Sequence, residues 1–157
     1  MPMASSLSGG MNALAIAQVS SLAVRPHGRV EASDPMFKVV DEMKAKGRGA
    51  VVVEENGKLV GIFTERDLMS RLDHGDALWQ HVTVRDVMTP HPTVIRPDDS
   101  LAEAMRRLVQ GKRRHLPVVD AQGHVMNLLS IRDILVFVAS KFPEEMMNLP
   151  PNPEHES

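Results

Sequence analysis

Ala50-Val51-Val52-Val53-Glu54-Glu55-Asn56-Gly57-Lys58-Leu59-Val60-Gly61-Ile62-Phe63-Thr64-Glu65-Arg66-Asp67 decides the fold, because it returns as Leu116-Pro117-Val118-Val119-Asp120-Ala121-Gln122-Gly123-His124-Val125-Met126-Asn127-Leu128-Leu129-Ser130-Ile131-Arg132-Asp133. At an offset of 66 residues, Gly57 falls on Gly123, Thr64 on Ser130, Arg66 on Arg132 and Asp67 on Asp133. Self-similarity at a fixed period marks a repeated structural unit. The short apolar runs Val51 to Val53 and Pro117 to Val119 predict strands buried on both faces. Asn56-Gly57 predicts a two-residue hairpin, whose central positions both need positive φ. Gln122-Gly123 carries a weaker form of the same signal. The closing segments predict helices that bury Leu68, Met69 and Leu72 in the first copy, and Ile134, Leu135 and Val138 in the second.

The repetition continues upstream at an offset of 65. Met36, Val39, Val40 and Met43 fall on Leu101, Ala104, Met105 and Leu108, both sets at the i, i+3, i+4, i+7 spacing of an amphipathic helix. Ser33-Asp34-Pro35 and Asp98-Asp99-Ser100 supply capping residues before them. Val30 falls on Ile95, each in a short extended lead-in. Each copy therefore reads strand, helix, strand, tight turn, strand, helix: an α/β (α+β) unit with a small three-stranded sheet and two helices. One copy is marginal alone by surface-to-volume scaling, and two packed sheet to sheet bury their apolar faces jointly. Residues 1–18 read as a flexible leader, with a short apolar helix from Met11 to Val19. Residues 19–73 and 83–141 read as the two copies, and 74–82 as a linker within the stretch Asp73 to Met88, which carries Trp79 and a short helical turn. Residues 142–157 read as an extended tail, since Leu149-Pro150-Pro151 cannot continue a helix or strand.

Composition narrows the function. The chain of 157 residues is 43% hydrophobic and 24% charged, as soluble globular domains are. Its formal net charge of −2 gives no global basic field for nucleic acid. With no cysteine, disulfides, thiolate zinc sites and cysteine nucleophiles are excluded, and a reducing, cytoplasmic setting fits. No apolar run spans a bilayer, and residues 1–24 lack the basic start of a secretory signal. His74, His81 and His91 are dispersed without ligand spacing, so no metal site is read. The eleven methionines read mostly as adaptable core filling, with Met146-Met147 as a candidate contact.

Several motifs, in order and twice over, resemble a known family. Gly61-Ile62-Phe63-Thr64-Glu65-Arg66-Asp67-Leu68, Asp86-Val87-Met88-Thr89-Pro90 and Arg114-His115-Leu116-Pro117-Val118-Val119-Asp120 are similar to signatures of the CBS domain, named after cystathionine β-synthase. The resemblance covers roughly Val24 to Ser140. It implies a pseudo-two-fold pair of repeats, a Bateman module, with two clefts between the paired sheets. It also implies binding of AMP, ADP or ATP, with NAD and S-adenosylmethionine as alternatives, and assembly as a homodimer. Such modules regulate an enzyme or transporter; no effector domain is read here, so the regulated protein is expected to be separate.

Thr64 and Asp67, like Ser130 and Asp133, are three apart at a helix start and so share one face. A carboxylate there suits ribose hydroxyls, and the first-turn N–H groups suit a phosphate. The same spacing is also a capping box, Ser or Thr at the N-cap and an acid at N3, and both roles can coexist. In the resembling family the aspartate takes the ribose. Arg66 and Arg132 lie in the same motifs. Arg114 and His115, in the cluster Lys112-Arg113-Arg114-His115, are the phosphate candidates that the resemblance implies. The other reading of that cluster is a solvated helix end whose cations offset the dipole. Arg48 and Gly49 are its thinner counterpart. Val30 and Ile62 in one cleft, and Ile95 and Leu128 in the other, are candidates for an apolar adenine slot. Gly61 would let a ligand approach the backbone, whereas its counterpart is Asn127.

Three functions compete. The leading one is an adenine-nucleotide-sensing regulatory module acting on a separate protein. The second is a ligand-independent dimerisation or interaction scaffold. The third, an enzyme, lacks a nucleophile–base pair, a metal-ligand set and a Walker-type loop.

Overall fold

The computed structural model describes residue 9, residues 12–71 and residues 81–141. Expectations that fall on Leu72, His74, Trp79 and the tail lie outside the described residues. Residues 12–16 are helical, as the apolar pattern there predicts.

Strand β1 (Gly28–Glu31) leads through helix α1 (Met36–Lys46) to β2 (Ala50–Glu55), which lies parallel to β1, Gly28 opposite Val51 and Glu31 opposite Glu54. A parallel neighbour needs a crossover, which α1 supplies. Asn56 (φ 54°) and Gly57 (φ 77°) then reverse the chain into antiparallel β3 (Lys58–Thr64), both in the left-handed region that the turn requires. Helix α2 (Glu65–Arg71) follows without a loop. After it, the single turn α3 (Val84–Val87) delivers β4 (Thr89–Pro90) to the outer edge of β3.

The second copy supplies α4 (Leu101–Gln110), β5 (His115–Val119), β6 (Val125–Ser130) and α5 (Ile131–Lys141). Its hairpin loop closes on Gly123 (φ 85°), and Asp120 Oδ1 accepts the Gln122 and His124 N–H groups, both at 2.9 Å. That five-residue connection, 120–124, is what the weaker turn signal produced.

Each copy carries three strands, but β4 of the second copy joins the first sheet. The first sheet has four strands, ordered β1-β2-β3-β4, and the second has two, β5-β6. Ile95 makes one parallel bridge to Val118, through its N–H to Pro117 O (3.0 Å) and its carbonyl from Val119 N–H (3.0 Å). Pro92 and Pro97 flank Ile95 and have no N–H to extend a ladder. Pro90 sits in an edge strand, where proline is tolerated.

The two copies bury matching helix positions. Met36, Val39 and Met43 are buried in α1, and Leu101, Ala104 and Leu108 in α4. Val40 and Met105 are half-buried in both. The caps differ from expectation in the first copy: Pro35 caps α1 with no side-chain bond, and Asp34 instead accepts Glu31 N–H at 2.9 Å. Ser100 does cap α4, accepting Glu103 N–H at 3.0 Å. The closing helices bury less than expected. Leu68 is half-buried and Ile134 fully buried, but Met69 is 77% exposed, Leu135 is 47% exposed and Val138 is half-buried. Asp67 faces inward, and Met69, two residues on, lies about 200° further round the helix.

The chain gathers into two compact units. One comprises Ala23–Pro97 with His115–Leu129, the other Met1–Leu22, Asp98–Arg114 and Ser130–Ser157. In the first, the four-stranded sheet is covered on both faces, as the unbroken run Val51 to Val53 predicts. Val51, Val53 and Phe63 face a cluster with Val30, Met36, Val39, Met43, Val84 and Val87. Ala50, Val52 and Ile62 face Val119, Val125 and Leu128 of the second copy's hairpin. In the second unit, α4 and α5 pack together, and Ala17 O and Asp99 O receive the N–H groups of Leu101 and Val19. No described helix is long and apolar enough to cross a membrane.

Candidate functional site

The hydroxyl–carboxylate boxes sit where each hairpin ends and its helix begins. Thr64 closes β3, and its N–H and Oγ1 both donate to Asp67 Oδ2, at 3.0 and 3.1 Å. The Asp67 N–H donates back to Thr64 Oγ1 at 3.2 Å. Ser130 closes β6 in the same way: its N–H and Oγ donate to Asp133 Oδ2 at 2.8 and 3.0 Å, and Asp133 N–H returns to Ser130 Oγ at 3.3 Å. Both boxes are thus working helix caps. Asp67 and Ser130 are buried, at 8% and 7% exposure, which is uncommon for polar caps. A carboxylate offers about four lone-pair positions, so capping leaves chemical capacity for a ribose. Arg66 and Arg132 are exposed on the first turns of α2 and α5.

A third box was not singled out in the sequence. The N–H and Oγ1 of Thr83 donate to Asp86 Oδ2, each at 3.1 Å, at the head of α3. The T-x-x-D spacing was visible, but here it ends no hairpin. Spacing therefore identifies the cap; position after β3 or β6 is what separates the other two.

The apolar candidates are all buried: Val30, Ile62, Ile95 and Leu128. Val30 and Ile62 do not meet in one cleft. Val30 belongs to the α1 face of the first sheet and Ile62 to the opposite face, where it shares a cluster with Leu128. Ile62 and Leu128, assigned to different clefts, are the pair that the structure brings together. Gly61 likewise differs from expectation. A Cβ there would fall on Met88 Sδ and lie 3.0 Å from Thr89 O, so the missing side chain makes room for β4 and Met88. Its counterpart Asn127 is buried, with Oδ1 accepting Leu128 N–H at 2.9 Å.

The basic cluster divides its work. Arg113 lies over Gly111 and donates to Arg107 O at 3.4 Å, the helix-end role. Arg114 is exposed, and its carbonyl accepts Ile131 N–H, the first of α5, at 3.3 Å. His115 is half-buried at the start of β5. In the first copy Arg48 reaches across: its Nη2 donates to Leu128 O at 2.7 Å. His27 was also missed. Its Nε2 is buried with no hydrogen-bond partner among the described residues. Burial, then the charges of Arg29, Arg48 and Lys46, hold its pKa below 6.5. Nothing in the spacing around His27 signals its burial; of the charges, Arg29 is close in sequence and Arg48 and Lys46 lie further along. His81 and His91 are exposed, and no three His, Asp or Glu side chains gather as a metal site among the described residues.

Comparison with known proteins agrees with this geometry. A family model of the CBS domain matches residues 19–74 and again residues 84–140, more than half of the chain. Arabinose 5-phosphate isomerase KdsD of Pseudomonas aeruginosa is 42% identical over 95 residues, 60% of this chain and 29% of that protein. The CBS domain-containing protein CBSCBSPB2 of Arabidopsis thaliana is 35% identical over 107 residues, 68% of this chain and 20% of that protein. The chain thus spans less than a third of either relative. Among solved structures, the CBS-pair protein CBSX2 from Arabidopsis thaliana superposes with a TM-score of 0.68 at 27% identity, covering 81% of this chain and 96% of that one. CBSX2 in complex with AMP gives 0.68 at 26% identity, covering 78% and 97%. With its hairpin-closing boxes in duplicate and two matches to one family model, the chain belongs to the CBS domain family and carries that domain twice in tandem.

Proposed function

We propose that this CBS pair is a non-catalytic, adenine-nucleotide-binding regulatory module that acts on a separate partner protein in the cytoplasm, as a homodimer. The observation that carries the reading is the duplication of one part-buried hydroxyl–carboxylate box at the end of β3 and of β6, in a chain of this family. Support comes from CBSX2, which binds AMP and shares 26% identity with this chain. Asp67 and Asp133 are assigned the ribose, with Thr64 and Ser130 beside them. Arg114 and His115 are assigned to phosphate, and Arg66 and Arg132 to the outer rim. Ile62 and Leu128 are the favoured apolar contacts; Val30, on the opposite face of the sheet, and Ile95 are the weaker candidates. AMP, ADP and ATP are the first ligands to try, NAD and S-adenosylmethionine the next. Sensing requires that ligand bind two arrangements of the module with different affinity.

A scaffold that needs no ligand is the second reading. Its support is that all three boxes close on themselves as caps, Thr83–Asp86 included. Calorimetric titration separates the two readings. Folded, ligand-free protein is titrated with the five ligands beside Asp67→Ala and Asp133→Ala, with thermal melting to verify folding. Saturable binding that one variant loses is the expected result. Absence of binding by every ligand overturns the sensor reading and leaves the scaffold.

A further inference from the structure

Arg29 enters the site above only as a charge beside His27, yet with Glu54 it joins segments far apart in the chain. Arg29 is an outward-facing residue of β1, and its guanidinium forks. Nη1 pairs with Glu54 Oε1 on β2 at 2.9 Å, and Nη2 donates to the carbonyl of Val125, the first residue of β6, at 2.6 Å. Glu54 is buried, and Arg29 donates to its Oε1 there. The planar guanidinium holds two acceptors in fixed directions, which a single ammonium does not reproduce. Among the described residues the second copy does not repeat this fork. Val94 stands at the position of Arg29, and packs against the cluster of Ala50, Val52, Ile62, Val119, Val125 and Leu128. Leu59, the counterpart of Val125, packs against that same cluster.

We propose that Arg29 and Glu54 form a pin that fixes the β5–β6 hairpin to the first sheet at the Val125 end. Further along β6, Arg48 Nη2 donates to Leu128 O at 2.7 Å, so the Arg29–Glu54 pin acts on the Val125 end of a hairpin that a second guanidinium holds elsewhere, with Val94 and Leu59 adding apolar packing. Arg29 and Glu54 are positioning residues for the face that carries Leu128, whether or not a nucleotide binds there.

Amide hydrogen exchange on the full chain tests this without any ligand. The reporters are the N–H of Asp120, bonded to His124 O, and of Val119, bonded to Ile95 O. Ala104 N–H, bonded to Ser100 O, is the control. Arg29→Gln is expected to speed exchange at both reporters about tenfold, the loss of a hydrogen bond to a charged group, with Ala104 unchanged. Arg29→Lys is expected to resemble Arg29→Gln, because it keeps the charge but loses the fork. Glu54→Gln is expected to give a smaller rise in the same two amides, and decides the matter if Arg29→Gln does not fold. Unchanged reporters, equal acceleration of Ala104, or full rescue by lysine would each overturn the proposal.

Discussion

At the residue scale, Gly61 shows how a missing side chain is set by distant chain, and His27 how burial and neighbouring charge set a titration. Gly61 is needed because Met88 Sδ and Thr89 O occupy the space beside it. Gly61→Ala is expected to cost about 1–3 kcal/mol by overpacking. Combining it with Met88→Ala should recover part of that cost and leave the share due to Thr89 O, as a double-mutant cycle in urea would measure. His27 titrates below 6.5, chiefly through burial and then through the Arg29 charge. On acidification the unfolded chain takes up this proton first, so the linked stability is present above about pH 6.5 and is lost as pH falls toward the folded value. His27→Gln is expected to flatten that part of the stability–pH curve below about pH 6.5.

At the element scale, the helix ends and faces make separate predictions. Ser100→Ala removes the acceptor for Glu103 N–H and should lower stability by about 1 kcal/mol, whereas Ser33→Ala should do little, since no side chain caps α1. The hydrogen bonds from Arg106 and then Arg107 hold the Glu103 carboxyl at about 2. Its contribution is present above the ordinary glutamate value of 4.5 and is lost as pH falls toward 2, so Glu103→Gln should blunt acid unfolding in that window. On the closing helices, Ile134→Ala should cost about 2–5 kcal/mol, and Met69→Gln should stay within about 0.5 kcal/mol. Thermal melts of the two variants would distinguish the buried position from the exposed one, although both residues are apolar and both lie in closing helices.

At the scale of the whole molecule, the hairpin of the second copy is part of the first sheet's core. A chain ending at residue 97 leaves Ala50, Val52 and Ile62 without Val119, Val125 and Leu128. It is expected to lose cooperative unfolding and disperse poorly by NMR, while the full chain unfolds in one transition. Independent folding of that fragment to native dispersion would contradict the shared core.

What could be read in the amino-acid order was whatever is local and periodic. The duplication, the helical faces of Met36 to Met43 and Leu101 to Leu108, the Asn56-Gly57 turn and the S/T-x-x-D boxes all follow from spacings of a few residues, which backbone geometry converts directly into structure. Resemblance to a family added the pairing of the copies. Folding decided the rest, because the relevant neighbours are tens of residues away. Val30 and Ile62 went to opposite faces through their strand registers, and Met88 came to cover Gly61 when β4 joined β3. The reach of Arg29 to Val125 spans 96 residues. Periodicity shows that a side chain turns inward; which side chain it then meets depends on the strand pairing that long-range burial selects.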